Sequence, residues 1–203
     1  MSHYTVAVVT QEYPTDSVLE DLLSPYDENR RVKPYISATK AEIIAESKEW
    51  AERFKQNREE GKITDADYEQ LKAYFEAETD EEFYKAHTYS DCKYDKEGNL
   101  LSTYNPDSKW DWWVVGGRWD GHLDGENTLS LKDFVDYIKE DVEGRRTYAV
   151  LDVNGMWHEP GKMGWWAISN ATDEDTENFT TNYLNFFDGY EDYWYVTLVD
   201  CHI

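Results

Sequence analysis

The chain has 203 residues, enough for one domain with a substantial core, and its 40% hydrophobic, 16% aromatic and 31% charged residues fit neither a disordered chain nor a membrane span. Forty-three acidic residues against 20 basic ones give a formal charge of -23. Nucleic-acid affinity comes mainly from Lys and Arg neutralising phosphates, so direct DNA or RNA binding and attachment to an anionic membrane are not expected; the charge favours a basic partner or serves solubility alone.

The opening "MSHYTVAVVTQ" has neither a basic leader nor a small-residue cleavage site, which predicts a cytoplasmic protein. Cys92 and Cys201 lack a C-x-x-C spacing and are expected as reduced thiols. Tyr4–Thr10 is β-branched and compact, predicting a buried first strand that ends in a turn around Pro14. A short helix follows from Ser17 with Val18, Leu19, Leu22 and Leu23 facing inward, and then a loop carrying Arg30, Arg31 and Lys33. Thr39 with Glu42 forms a capping box for a helix whose inner face is Ile43, Ile44, Trp50, Ala51 and Phe54, ending at Gly61. Thr64 with Asp67 opens a second helix and Thr79 with Glu82 a third, so residues 39–88 read as a helical insertion.

Strands and hairpins dominate the remainder. Gly98 and Asn99 mark one hairpin, and Asn154-Gly155 marks a clearer one in "TYAVLDVNGMWHE". Ser130 with Asp133 starts a helix that buries Leu131, Phe134, Ile138 and Val142. A strand is predicted over Trp165–Ser169, then an acidic helix from Thr172 with Phe179, Tyr183 and Phe187, and a last strand ending "VDCHI". This order predicts a single α+β domain over residues 1–203: an antiparallel or mixed sheet covered by helices, with a ferredoxin-like or split βαβ flavour.

The stretch "KWDWWVVGGRW", Lys109–Trp119, holds four tryptophans, a glycine pair and one arginine. Strand alternation puts Trp110, Trp112 and Val114 on one side and Lys109, Asp111, Trp113 and Val115 on the other, as in a central strand between two layers. Gly116 and Gly117 suit a bulge or tight turn and would also let backbone N–H groups approach a ligand, while Arg118 beside Trp119 can stack or clamp an oxyanion. Eight of the nine tryptophans lie between Trp110 and Trp194. Aromatic walls with one cation suit a small-molecule pocket lined by Lys109, Trp110, Trp112, Gly116, Gly117, Arg118 and Trp119. The same residues also read as a strand end, a glycine bulge and an arginine paired with a carboxylate.

"NPDSKWDWWVVGGRWDG" resembles a box, N-P-x-S-K-W-D-W-Y-x-x-G-G-R-W, shared by a group of bacteriophage proteins; "LLSPYDEN", "MGWWAIS" and the ending "VDCHI" resemble the same group. More distantly, a W-G-T-K-W-D box in ferredoxin-like domains of phage and plasmid proteins is similar and agrees with the fold expectation. The group brings no activity with it. Trp113 stands where its pattern often has Tyr, which removes a phenolic acid. The resemblance implies an accessory protein of the host-cell cytoplasm that counters host defence.

Three functions follow. The first is non-enzymatic capture of a small nucleotide-like ligand in the aromatic and Arg118 pocket. The second is an acidic DNA mimic that binds a basic host protein. The third is a small hydrolase or phosphodiesterase using Asp200 and His202, which alternate onto one face of the last strand with Trp194, Val196 and Leu198. Asp200 and His202 also read as the polar residues of a C-terminal strand fraying into water. No cofactor or metal is expected: "HEPGK" has Lys162 where a second zinc histidine belongs, and the acidic run from Asp173 has Asn178 and Leu184 at the glycine and glutamate positions of a calcium loop.

Overall fold

The computed structural model describes residues 3–163 and 168–203. In chain order its elements are β1 (His3–Thr10), α1 (Asp16–Leu23), β2 (Tyr35–Ala38), α2 (Lys40–Glu59), α3 (Asp65–Glu76), α4 (Asp80–Ala86), β3 (Lys93–Tyr94), β4 (Leu100–Ser102), β5 (Trp112–Val115), β6 (Thr128–Ser130), α5 (Leu131–Glu140), α6 (Val142–Arg145), β7 (Ala149–Leu151), β8 (Trp157–His158), α7 (Asp173–Thr181) and β9 (Tyr195–His202). Short 3-10 turns span Ser24–Tyr26, Gly117–Trp119 and Tyr183–Phe187. The strand predicted over Trp165–Ser169 falls largely outside the described residues. Among the described residues no helix is long and apolar enough to cross a membrane.

The chain divides into two compact units, residues 1–31 with 104–203, and residues 32–103. The second unit contains the predicted helical insertion. Its three helices each start at the expected threonine: Thr39, Thr64 and Thr79 accept from the backbone of Glu42, Asp67 and Glu82, whose carboxylates bond back. Ala51, Ala77 and Phe83 form its small core. A three-stranded sheet in the order β2-β4-β3 completes it. Strand β2 escapes sequence reading because its four residues bury no alternate face; Ile36 is half exposed.

The first unit is built on a mixed sheet in the order β5-β9-β1-β7-β8, with β6 also on β9. The α+β class with a mixed, helix-covered sheet is as expected; within it β1 and β7 are direct parallel neighbours, with no strand between them. Both faces of β1 and β9 are buried, which explains their nearly continuous apolar runs. On one face Ala7, Val9, Val150, Val196 and Leu198 pack under Phe134 and Ile138 of α5, Phe179 of α7, and Tyr183 and Phe187. On the other, Val6, Val8, Leu151, Val199 and Cys201 pack under Leu19 and Leu23 of α1. Val18, expected inside, is 40% exposed, because α1 has only two of its positions turned fully to the sheet.

The β7–β8 hairpin turns at Asn154-Gly155 as predicted, with Gly155 at φ +76°. Asp152 holds it: one carboxylate oxygen accepts from the backbone N–H groups of Asn154 and Met156, at 2.8 and 2.9 Å, and the other faces His158 Nε2 at 3.0 Å. Burial pushes this carboxyl up, but the bonds from His158, Met156 and Asn154 together outweigh burial and leave it below the ordinary value. A depressed carboxyl stabilises the fold above its unfolded value, about pH 4, and that stabilisation is lost as the pH falls through the depressed value. Urea denaturation followed from pH 6 to 2 is expected to show this acid loss, and Asp152→Asn to flatten it.

Candidate functional site

Strand β9 is apolar where α5 covers the sheet and polar beyond it, at Asp200 and His202. Its register places His202 between Trp112 of β5 and His3 of β1, and Asp200 between Val114 and Thr5. Alternation puts these side chains on the α5 face. Trp112 and Val114, on the outer strand, are 42% and 41% exposed.

Two histidine–aspartate pairs stand side by side here. His3 Nδ1 is 2.8 Å from Asp200 Oδ1, and His202 Nδ1 is 2.6 Å from Asp111 Oδ1. An ionised carboxylate only accepts hydrogen bonds, so in its neutral form each ring carries its proton on Nδ1 and the lone pair on Nε2. The two ring centroids are 5.1 Å apart. Trp112 lies flat on His202, with 5.5 Å between centroids and 14° between planes, and meets His3 edge-on at 5.3 Å. His202 Nε2 is buried and has no partner among the described residues.

Asp200 is itself nearly inaccessible, and its second oxygen accepts from the backbone N–H of Arg118 at 2.9 Å. Gly117, at φ +55°, makes this possible: a Cβ there would overlap the Asp200 carboxylate. The Asn127 side chain fills the space beside Gly116 in the same way, accepting from Gly121 N and donating to Asp120. The close approach allowed by the glycine pair is thus used by the protein's own side chains. Cys201 points to the opposite face, where burial pushes its thiol well up, so it is no nucleophile at neutral pH.

The predicted wall of tryptophans does not converge. β5 is the edge strand of the sheet rather than a central one, and it begins at Trp112. The backbone bends at Asp111, whose N–H bonds to His202 O, so the alternation does not extend back to Trp110. Trp110 packs instead with Tyr4, Leu19 and Val199 on the face opposite Trp112, donating its indole N–H to Leu23 O at 3.2 Å. Lys109 pairs with Glu159 at 2.6 Å, both side chains largely buried. Trp119 is half-buried against the α5-side core. Of the predicted pocket residues, Trp112 lies on the His202 ring and Arg118 reaches Asp200 through its backbone N–H, its side chain being exposed.

His3 and Asp111 complete a grouping that sequence reasoning only half found. The available signal was the pairing of first and last strands, which sets His3 opposite His202. Comparison with protein-family models, with curated proteins and with solved structures gives no match.

Proposed function

We propose that this chain is a small hydrolase of the phosphodiesterase type, acting on a nucleotide-like substrate through His3 and His202. The observation that carries this reading is the pair of imidazoles, each anchored through Nδ1 by a carboxylate, with centroids 5.1 Å apart. One imidazole takes the proton of the attacking water or hydroxyl as the new P–O bond forms. The other, entering protonated, gives its proton to the leaving oxygen as the old P–O bond breaks. Asp200 and Asp111 orient the rings and stabilise the imidazolium that each becomes in turn. The buried Nε2 of His202, without a partner among the described residues, supports this role, since an unsatisfied buried polar atom calls for a reason. Trp112, stacked on that ring and 42% exposed, is the platform for a base. The exposed Arg118 side chain is the cation for the phosphate.

In the setting implied by the bacteriophage resemblance, such an activity would remove a host nucleotide signal. The test is a panel of cyclic mononucleotides, 2′,3′-cyclic nucleotides and cyclic dinucleotides incubated with the protein and analysed by mass spectrometry. Turnover is expected, and to fall about 10²–10⁴-fold in His3→Asn and His202→Asn variants of unchanged stability. A nucleotide bound stoichiometrically and recovered intact would replace hydrolysis by capture. Neither binding nor turnover would defeat both readings and leave a basic protein partner as the function.

A further inference from the structure

A cavity opens in the same unit where Tyr26 and Trp157 pack against the α1-side core. The Tyr26 hydroxyl donates to Gly155 O at 2.7 Å, tying the Ser24–Tyr26 turn to the tip of the β7–β8 hairpin. The Tyr26 and Trp157 rings stand 5.0 Å apart at 48°, and with Pro25, Met156, Lys109 and Asp107 they line a cavity of about 400 Å³.

The polar groups of this cavity are largely committed. Lys109 is neutralised by Glu159, the Trp157 indole N–H donates to the other Glu159 oxygen at 3.0 Å, and the Tyr26 hydroxyl is given to Gly155. The other lining groups are the half-buried Tyr26 and Trp157 rings and the exposed side chains Met156 and Asp107. Ring faces and thioether sulfur are electron-rich, so this surface favours a cation with an apolar stem. The local field agrees: burial raises the Tyr26 hydroxyl above its ordinary value against a lowering bond from the Trp157 backbone, and the Asp107 and Asp152 carboxylates add smaller raising contributions. The chain as a whole carries -23, which draws basic partners toward it.

We propose that this cavity receives a lysine or arginine side chain of a basic protein partner, its stem along Tyr26 and Trp157 and its charge toward Asp107. The proposal stands independently of the hydrolase reading, since it uses none of His3, Asp111, Asp200 or His202. The test follows the Trp157 indole N–H by NMR in the full chain as acetyl-Gly-Lys-Gly-amide, its arginine counterpart or its norleucine counterpart is added. A saturable shift with the lysine or arginine peptide and not with norleucine is expected. Asp107→Lys and Met156→Lys, both at exposed positions, should each weaken the binding about tenfold. Equal binding of norleucine, no response to either basic peptide at millimolar concentration, or indifference to both variants would overturn the proposal. Tetramethylammonium bound as tightly as the peptides would likewise overturn it, in favour of a small organic cation.

Discussion

Gly117→Ala is expected to lower stability by about 2–4 kcal/mol, combining the penalty of a left-handed residue with the overlap of a new methyl group on a packed neighbour. The neighbour is Asp200, which cannot move without giving up His3 and the Arg118 N–H. Gly125→Ala is the control, because Gly125 also has a positive φ, +96°, but nothing lies within 4 Å of its missing Cβ. Urea denaturation of the two variants separates the terms. Equal losses would mean that backbone strain alone explains Gly117 and that Asp200 has room to spare.

The second large effect divides two tryptophans only two residues apart. Trp110→Ala should cost about 3–5 kcal/mol, the usual range for a buried aromatic, and it removes the indole donor to Leu23 O. Trp112→Ala should cost less than about 1 kcal/mol, since the side chain is 42% exposed and sits on the outer strand. On the hydrolase reading Trp112→Ala also raises KM about tenfold through loss of base stacking. Thermal denaturation and steady-state kinetics on both variants check the contrast. A Trp112 variant as unstable as the Trp110 variant would make Trp112 part of the core rather than a platform.

Much of the fold is legible because local chemistry decides it. The threonine caps at 39, 64, 79 and 172 each meet an acidic partner three residues on, and both predicted hairpin tips hold a positive-φ glycine. Strands β2 and β6 are short and half-buried, so no alternation marks them. The tryptophan box misleads at one peptide: alternation assumes an unbroken strand, and the bend at Asp111 sends Trp110 into the core. Half of the candidate site was visible, since Asp200 and His202 share a face of a strand that reads clearly. His3 and Asp111 were not, because their roles depend on strand pairing, and the His3–Asp200 bond spans 197 residues of sequence.

That span has a kinetic consequence. Strand β1 leaves the ribosome long before β9, and until β9 arrives its hydrogen-bonding edge has no native cover on that side. Loop closure over the 197 residues that separate His3 from Asp200 makes this annealing a late and slow step, after the local hairpins and capped helices have formed. An incompletely folded molecule therefore has an adhesive strand edge and no assembled histidine pair, so aggregation and inactivity share one origin.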